Sequence, residues 1–453
     1  MNPVSRKGLR GFILLEKSET DEKLRLPRPF NGVNVNFCRN PLCSNFGKPA
    51  ELEDGRGKKR GNHGSLYRVT GDSLFCSVCH THTVVKSNRA VAEEFERNLE
   101  LLATPGGLHC PSVTCANYFR PVDSHPGSYL AHGHTPSGGR RFRCKDCGKT
   151  FSDRKPHQRQ QSSHENKTVF QMLVAKVCIT RIAQVTGLAP KTVYDKIDFL
   201  HGQCRKFLAD RERRLPELEF KRMRIATDMQ DYMVNWPTKK LRKTIQFRAI
   251  ASSCLDTGYV LACHPQLDSR FDTNEVQQAV VDCGDLDKKP AFREYARLWN
   301  YEDYARALEL DMNTFAPARE DQDGPEHMTK DRQLPTQGAM VHIDYLAFGH
   351  FMYLNYLLGR NARNVHFCLD ADPGLAIACL ATWKDKVLMR ELDLAIMTCD
   401  KAATIDEKNR AVAKAIELKE KAEEEYPHLP PFRAWLAYFL ANSTIPYYHG
   451  IAR

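Results

Sequence analysis

The chain has 453 residues, 42% hydrophobic and 27% charged, which is enough for about three domains with real cores. Its formal net charge of +11 and pI near 8.9 suggest a polyanionic partner. No apolar run approaches the roughly 20 residues that span a bilayer, and Gly11-Phe12-Ile13-Leu14-Leu15 is too short for the apolar region of a signal peptide. No membrane contact is therefore expected, and a cytoplasmic location is.

Half of the sixteen cysteines fall into four close pairs. Cys38-x4-Cys43 is followed, after 32 residues, by Cys76-x2-Cys79; Cys110-x4-Cys115 is followed, after 28, by Cys144-x2-Cys147. This is an internal repeat of about 72 residues, and Cys43-Ser44-Asn45-Phe46 is echoed by Cys115-Ala116-Asn117-Tyr118. Two knuckles of paired thiolates close a tetrahedral site around Zn2+, and a full set of four leaves no open position for catalysis. Two structural zinc ions are thus expected, supplying folding energy to modules too small to fold alone. Disulfides would need an oxidising compartment, of which the sequence gives no sign. His80, His82 and His109 lie beside the ligands and could replace a cysteine.

Around the last knuckle, aromatic residues alternate with cations: Arg140-Arg141-Phe142-Arg143-Cys144-Lys145-Asp146-Cys147-Gly148-Lys149-Thr150-Phe151-Ser152. Arg141, Arg143, Lys145 and Lys149 suit phosphate contacts; Phe142 and Phe151 suit stacking on a ligand or covering the metal site. Residues 152–167 are polar and basic without apolar periodicity and read as a linker.

From Thr168 the spacing becomes helical, through Val169, Met172, Leu173 and Val177. Between Ile179 and Tyr194, Ala183 is small enough for two helices to cross, Gly187 supplies a turn and Pro190 sits in the first turn of the next helix. That is the spacing of a DNA-binding helix-turn-helix, with Lys191, Thr192 and Tyr194 near the groove-facing surface. An ordinary helical hairpin has the same pattern; two basic cysteine modules just upstream favour DNA. The helix continues towards Arg214, ahead of Pro216.

After residue 215 the pattern is that of one α/β core. Met223–Asp228 reads as a first strand, Gln246–Leu255 and Tyr259–Cys263 as a hairpin about Asp256-Thr257-Gly258. A helix is predicted at Asn274–Val281, and a largely polar insertion or lid over about 284–338. A helix over residues 340–358, a strand at Asn364–Asp370, a helix opened by Pro373, a strand at Leu392–Thr398 and a charged helix at Asp406–Glu425 follow. This order of elements is that of the ribonuclease-H-like fold. In it Asp228 and Asp370 would lie side by side and hold two Mg2+ for phosphodiester chemistry. An apolar run ending in a solvated aspartate reads equally as an ordinary strand end.

With these motifs the chain resembles the bacterial insertion-sequence transposases that carry an Asp, Asp, Glu core, over nearly its whole length. The string Arg141–Ser152 is the most specific part of the likeness. The resemblance implies a multi-domain α+β chain: an N-terminal arm (1–30), zinc ribbons at 31–100 and 101–155, linker and helix-turn-helix (156–215), and a ribonuclease-H-like catalytic core (216–453). It implies Asp228 as the first catalytic aspartate and Asp370 as the second, with Asp372 the alternate and Mg2+ or Mn2+ as cofactor. The third carboxylate departs from the pattern: Glu407 stands at a plausible distance but among many equivalent neighbours, and a glutamate beyond the end of the chain fits as well. The implied activity is DNA transposition, by cleavage and strand transfer at element ends, with duplex DNA as partner and a homo-oligomer acting on it near the bacterial nucleoid. The alternative is a truncated or domesticated relative that binds DNA without cutting it.

Overall fold

A computed structural model describes residues 25–50, 62–63, 66–104, 107–153, 160–238, 241–314, 333–370, 372–397 and 404–429, with residues 431, 434, 437 and 438. The expected N-terminal arm lies almost wholly outside the described residues, as do residues 154–159 of the expected linker and 315–332 of the expected insertion.

The core is a five-stranded mixed sheet. β8 (Phe220–Thr238), β9 (Leu241–Cys254) and β10 (Val260–Pro265) run antiparallel, and β13 (Ala362–Asp370) and β14 (Leu392–Met397) run parallel to β8, in the order β10-β9-β8-β13-β14. Alternation explains the strands. Met223, Ile225 and Thr227 on β8 and Val365, Phe367 and Leu369 on β13 bury one face, while Arg224, Asp228 and Asp370 take the other.

Helix α7 (Ile343–Leu358) lies on the buried face and is apolar all round, as a helix packed on several sides must be. Against it pack α8 (Pro373–Thr382) and, from far away in sequence, α1 (Asn88–Leu99). Gly349 permits this approach, since a Cβ there would lie 2.5 Å from Glu94 Cγ. Trp383 closes the layer, donating from Nε1 to the Phe351 carbonyl at 3.1 Å and meeting the Phe367 ring edge-on.

The first cysteine module is built into this core. Val33, Val35, Phe37, Phe46 and Val91 belong to the same apolar cluster as α7 and β13, each such side chain contributing about 1.5–3 kcal/mol by burial. Its small sheet comprises β1 (Asn62–His63), β2 (Tyr67–Thr70), β3 (Ser73–Cys76) and β4 (His82–Val84). The second module, with β5 (Tyr129–His134), β6 (Arg140–Cys144) and β7 (Thr150–Ser152), keeps a separate small cluster around Cys110, Val122 and Tyr129.

Three helices follow: α2 (Asn166–Val174), α3 (Ile179–Thr186) and α4 (Pro190–Glu212), packed about Val169, Ile182 and Val193. Gly187, at φ +67°, closes α3, and Pro190 opens α4. Lys196 is buried and clamps the cluster, its Nζ donating to the carbonyls of Gln161 and Ser162 at 2.9 Å and to Asn166 Oδ1 at 2.6 Å. At the far end of α4, Glu212 accepts a hydrogen bond from the Tyr353 hydroxyl, and Arg213 Nη1 donates to the Leu102 carbonyl at 2.7 Å and the Thr104 carbonyl at 2.6 Å.

The insertion expected over 284–338 is not uniformly a lid. Asp285 and much of residues 291–300 enter the interior: Asp285, fully buried, accepts from the amides of Glu294 and Tyr295, and Arg297 bonds Glu94 at 2.9 Å and Asp268 at 2.8 Å. Polar composition misled because these polar groups are buried in pairs. The short separate pair β11 (Leu267–Asp268) and β12 (Ala339–Met340) ties the insertion's end back to the residues that follow β10. Between them lie α5 (Thr273–Asp282) and α6 (Tyr301–Thr314). α9 (Lys384–Leu388) precedes β14, and α10 (Ile405–Glu425) ends the described core with Ile405, Val412 and Ile416 all more than half exposed.

Candidate metal centres and acidic site

The two four-cysteine sets assemble as the spacing predicts. Among the described residues, only Cys38, Cys43, Cys76 and Cys79, and Cys110, Cys115, Cys144 and Cys147, bring three or more ligand atoms together, all within 4.8 Å of one another. The sulfurs stand 3.5 Å (Cys38–Cys79), 3.7 Å (Cys43–Cys76), 3.3 Å (Cys110–Cys147) and 3.6 Å (Cys115–Cys144) apart. A tetrahedron with zinc–sulfur bonds of about 2.3 Å has edges of about 3.8 Å, so both sets fit Zn2+. No histidine takes a ligand place: His80 and His82 lie against Phe75, and His109 bonds the Gly107 carbonyl.

The surroundings repeat as closely as the ligands. Asn45 donates from its amide to Cys43 and from Nδ2 to Cys76, each at 3.4 Å; Asn117 does the same to Cys115 and Cys144 at 3.4 and 3.3 Å. Tyr67 and Tyr129 stand directly across the sheet from Cys76 and Cys144. Each hydroxyl accepts from the first cysteine's amide and donates to the carbonyl of that asparagine. Such partners fix ligand orientation and tune the sulfurs. Burial raises the Cys38, Cys43 and Cys110 thiols and the hydrogen bond to Asp146 raises Cys115, whereas against the effect of burial hydrogen bonds from Thr81 bring Cys79 down to about 6, and bonds led by Asn117 bring Cys144 down to about 6. The asparagines were visible in the repeated Cys-x-Asn string; the tyrosines, at unequal distances from their cysteines, were not.

On the second module the cations and aromatics separate by face. Phe142 and Phe151 stack on each other, and Phe151 meets Tyr129 edge-on, covering the metal set from outside. Arg141, Arg143, Lys145 and Lys149 are exposed. On the helical cluster Lys191 and Tyr194 are exposed and Thr192 is half-buried at the start of α4.

The acidic residues lie at one end of the sheet. β8 and β13 are in parallel register through Thr227 and Leu369, so Asp228 and Asp370, the next residue on each strand, leave at the same level on the face opposite those buried side chains. Both are exposed. Asp228 accepts from the Met229 amide at 2.8 Å. Asp372 has a different task, capping α8 by accepting from the amides of Gly374 at 2.7 Å and Leu375 at 3.2 Å. Glu407 closes a capping box with Thr404 at the start of α10, and Glu407 joins no group of ligand atoms with Asp228 and Asp370 among the described residues. On the buried side of the same strand runs a polar chain: Thr227 Oγ1 to Ser252 Oγ (2.6 Å), on to His350 Nε2 (2.7 Å), and His350 Nδ1 to His264 Nδ1 (3.0 Å). Desolvation holds both histidines below their usual range, His350 at about 3.

Comparison with protein-family models, with curated proteins and with solved structures gives no match for this chain.

Proposed function

We propose that the chain is a metal-dependent DNA transposase: a ribonuclease-H-like core joined to a helix-turn-helix (α2–α4) and two zinc ribbons. The observation that carries the reading is the level placement of Asp228 and Asp370 on adjacent parallel strands, at the point where β13 ends beside β8. Two carboxylates so placed can share divalent cations, which activate an attacking oxygen and stabilise the leaving one in phosphodiester exchange. The strand order β10-β9-β8-β13-β14, with three antiparallel strands followed by two parallel ones, supports the core assignment. Exposed cations on the second ribbon and at the start of α4 support duplex DNA as the substrate.

The test is cleavage and joining of duplex DNA in Mg2+ or Mn2+, with Asp228→Asn and Asp370→Asn as paired controls. Activity in the parent and its loss in both variants, with DNA binding retained, supports the reading; cleavage that survives both substitutions refutes it. The placement of Glu407 in a capping box favours a second reading, a DNA-binding protein without strand transfer. That reading predicts binding and no cleavage in any metal.

A further inference from the structure

The two four-cysteine sets share their ligands and their asparagine and tyrosine partners, so any difference in reactivity must come from what does not repeat. The fourth ligand differs in cover. Cys79 is half-buried and packs with Leu66 and Phe292 against the cluster that holds Tyr67, Leu74 and Ala291. Ala291 and Phe292 come from the core's insertion, so the rest of the chain shields this set. Cys147 is exposed and joins no apolar cluster among the described residues.

Two neighbours differ as well. Thr81 Oγ1 stands 3.0 Å from Cys79 Sγ, a contact that draws charge off the sulfur. At the matching place Lys149 donates instead to Ser112 Oγ at 3.4 Å. Val78 precedes the fourth ligand of the first set, and Asp146 that of the second. Asp146 Oδ2 lies 3.0 Å from Cys115 Sγ and accepts from the Ala116 amide at 3.3 Å. A thiol that coordinates a metal loses its proton, so this carboxylate then repels it and loosens the set.

We infer that the second four-cysteine set is a peroxide-sensitive zinc switch, in which Cys147 is oxidised first and Cys110 resolves it, while the first set is its protected counterpart. Oxidation favours an exposed thiolate beside a resolving cysteine, and Cys110 Sγ, at 3.3 Å from Cys147 Sγ, makes the shortest of the four sulfur pairs. The Cys147 thiolate attacks one oxygen of hydrogen peroxide, the O–O bond breaks, and hydroxide leaves a sulfenic acid behind. The Cys110 thiolate then attacks that sulfur, the S–O bond breaks, and a second hydroxide leaves. The two sulfurs together give up two electrons, peroxide becomes two hydroxides, and a disulfide replaces two of four zinc ligands. The two thiolates that remain are too few for a structural site. Metal binding supplies the folding energy of so small a module, so the one carrying Arg141, Arg143, Lys145 and Lys149 loses its fold and its grip on DNA. That last step rests on the proposed function; the order of zinc release does not.

The reduced full chain, with zinc on both sets, is titrated with hydrogen peroxide. A chelating dye reads zinc release, and peptide mass spectrometry reads disulfides. About one zinc per chain should leave first, together with a Cys110–Cys147 disulfide, and the other should need about tenfold more peroxide. Cys147→His keeps a zinc ligand without an oxidisable sulfur, and Lys149→Thr supplies the hydroxyl that Cys79 has. Each should keep both ions and slow the first release about tenfold. The main thermal transition should stay in place, and dithiothreitol with added zinc should restore the parent state. Release of both ions together, earlier release from the first set with a Cys38–Cys79 disulfide, or no release before the core melts overturns the inference. An unchanged first release in both variants does the same. Affinity for a labelled duplex should fall about tenfold as the first zinc leaves; loss of that zinc with unchanged affinity overturns the switch. A parent chain that binds no duplex overturns the proposed function and leaves the peroxide-sensitive set standing.

Discussion

Asn45 and Asn117 make the same two bonds to sulfur in two clusters of different setting, the first joined to the main core and the second apart from it. The chemistry of the metal site is repeated, but its structural consequence is not. Metal analysis of the reduced chain should find two zinc ions, about one per four-cysteine set. Asn117→Ala should keep its zinc but lower affinity about 10–100-fold, the usual effect of losing an outer partner, read by competition with a chelating dye.

The unequal setting makes a second prediction. Cys76→Ser should lower the melting temperature of the whole core, because Phe37 and Phe46, beside that cluster's ligands, pack with α7. Cys144→Ser should unfold only the second module, lowering zinc to about one ion while the main transition stays in place. Thermal melts followed at a core-sensitive wavelength check both.

Arg297→Met should destabilise the core strongly. It removes the cation shared by Glu94 and Asp268, both fully buried, and breaking a buried pair from one side costs about 3–5 kcal/mol. Urea denaturation gives the number. A loss within error of zero would mean that Arg97 and Arg270, the remaining partners, suffice.

Asp372→Ala should cost about 0.5–2 kcal/mol through loss of the α8 cap, with metal-dependent cleavage retained. Asp370→Asn should do the reverse, abolishing cleavage at little cost in stability. Assaying stability and cleavage together in the two variants checks the separate roles that the proposed function gives the two aspartates.

Glu212 gives a pH signature. Desolvation raises its carboxyl to about 7, against the lowering effect of the Tyr353 hydrogen bond. A carboxyl raised on folding holds its proton better in the folded state, so its stabilising contribution is complete below the unfolded value of 4.5 and is lost as pH rises to about 7. Glu212→Gln should therefore match the parent near the acid end and exceed it by up to about 3 kcal/mol above neutrality. Taking the difference between the two proteins cancels the opposite trend from His264 and His350, whose depressed values favour the folded state as pH rises.

What could be read in the sequence was what depends on local spacing. The cysteine pairs, the Gly187–Pro190 punctuation and the run ending at Asp370 each carry their geometry in a few consecutive residues and appear where expected, whereas the strand expected to end at Asp228 continues to Thr238. What stayed hidden depends on partners far away in the chain. α1 is polar enough to pass for a surface helix, yet Glu94 is buried because Arg297, 203 residues later, meets it. The continuation of β8 past Asp228 to Thr238 and the start of β9 at Leu241 were not expected, because that stretch lacks the apolar alternation of Met223–Asp228. Tyr67 and Tyr129 share a role that only the cross-strand register reveals.

The length of α4 has a mechanical meaning. At about 1.5 Å per residue its 23 residues make a rod of roughly 35 Å. One end carries Lys191 and Tyr194; the other is fixed to the core by Glu212 on Tyr353 and Arg213 on the 102–104 carbonyls. The rod therefore fixes the distance between the two ends and can act as a lever. A tilt of about 5° at the fixed end swings Lys191 by about 3 Å over that length, about the length of one hydrogen bond.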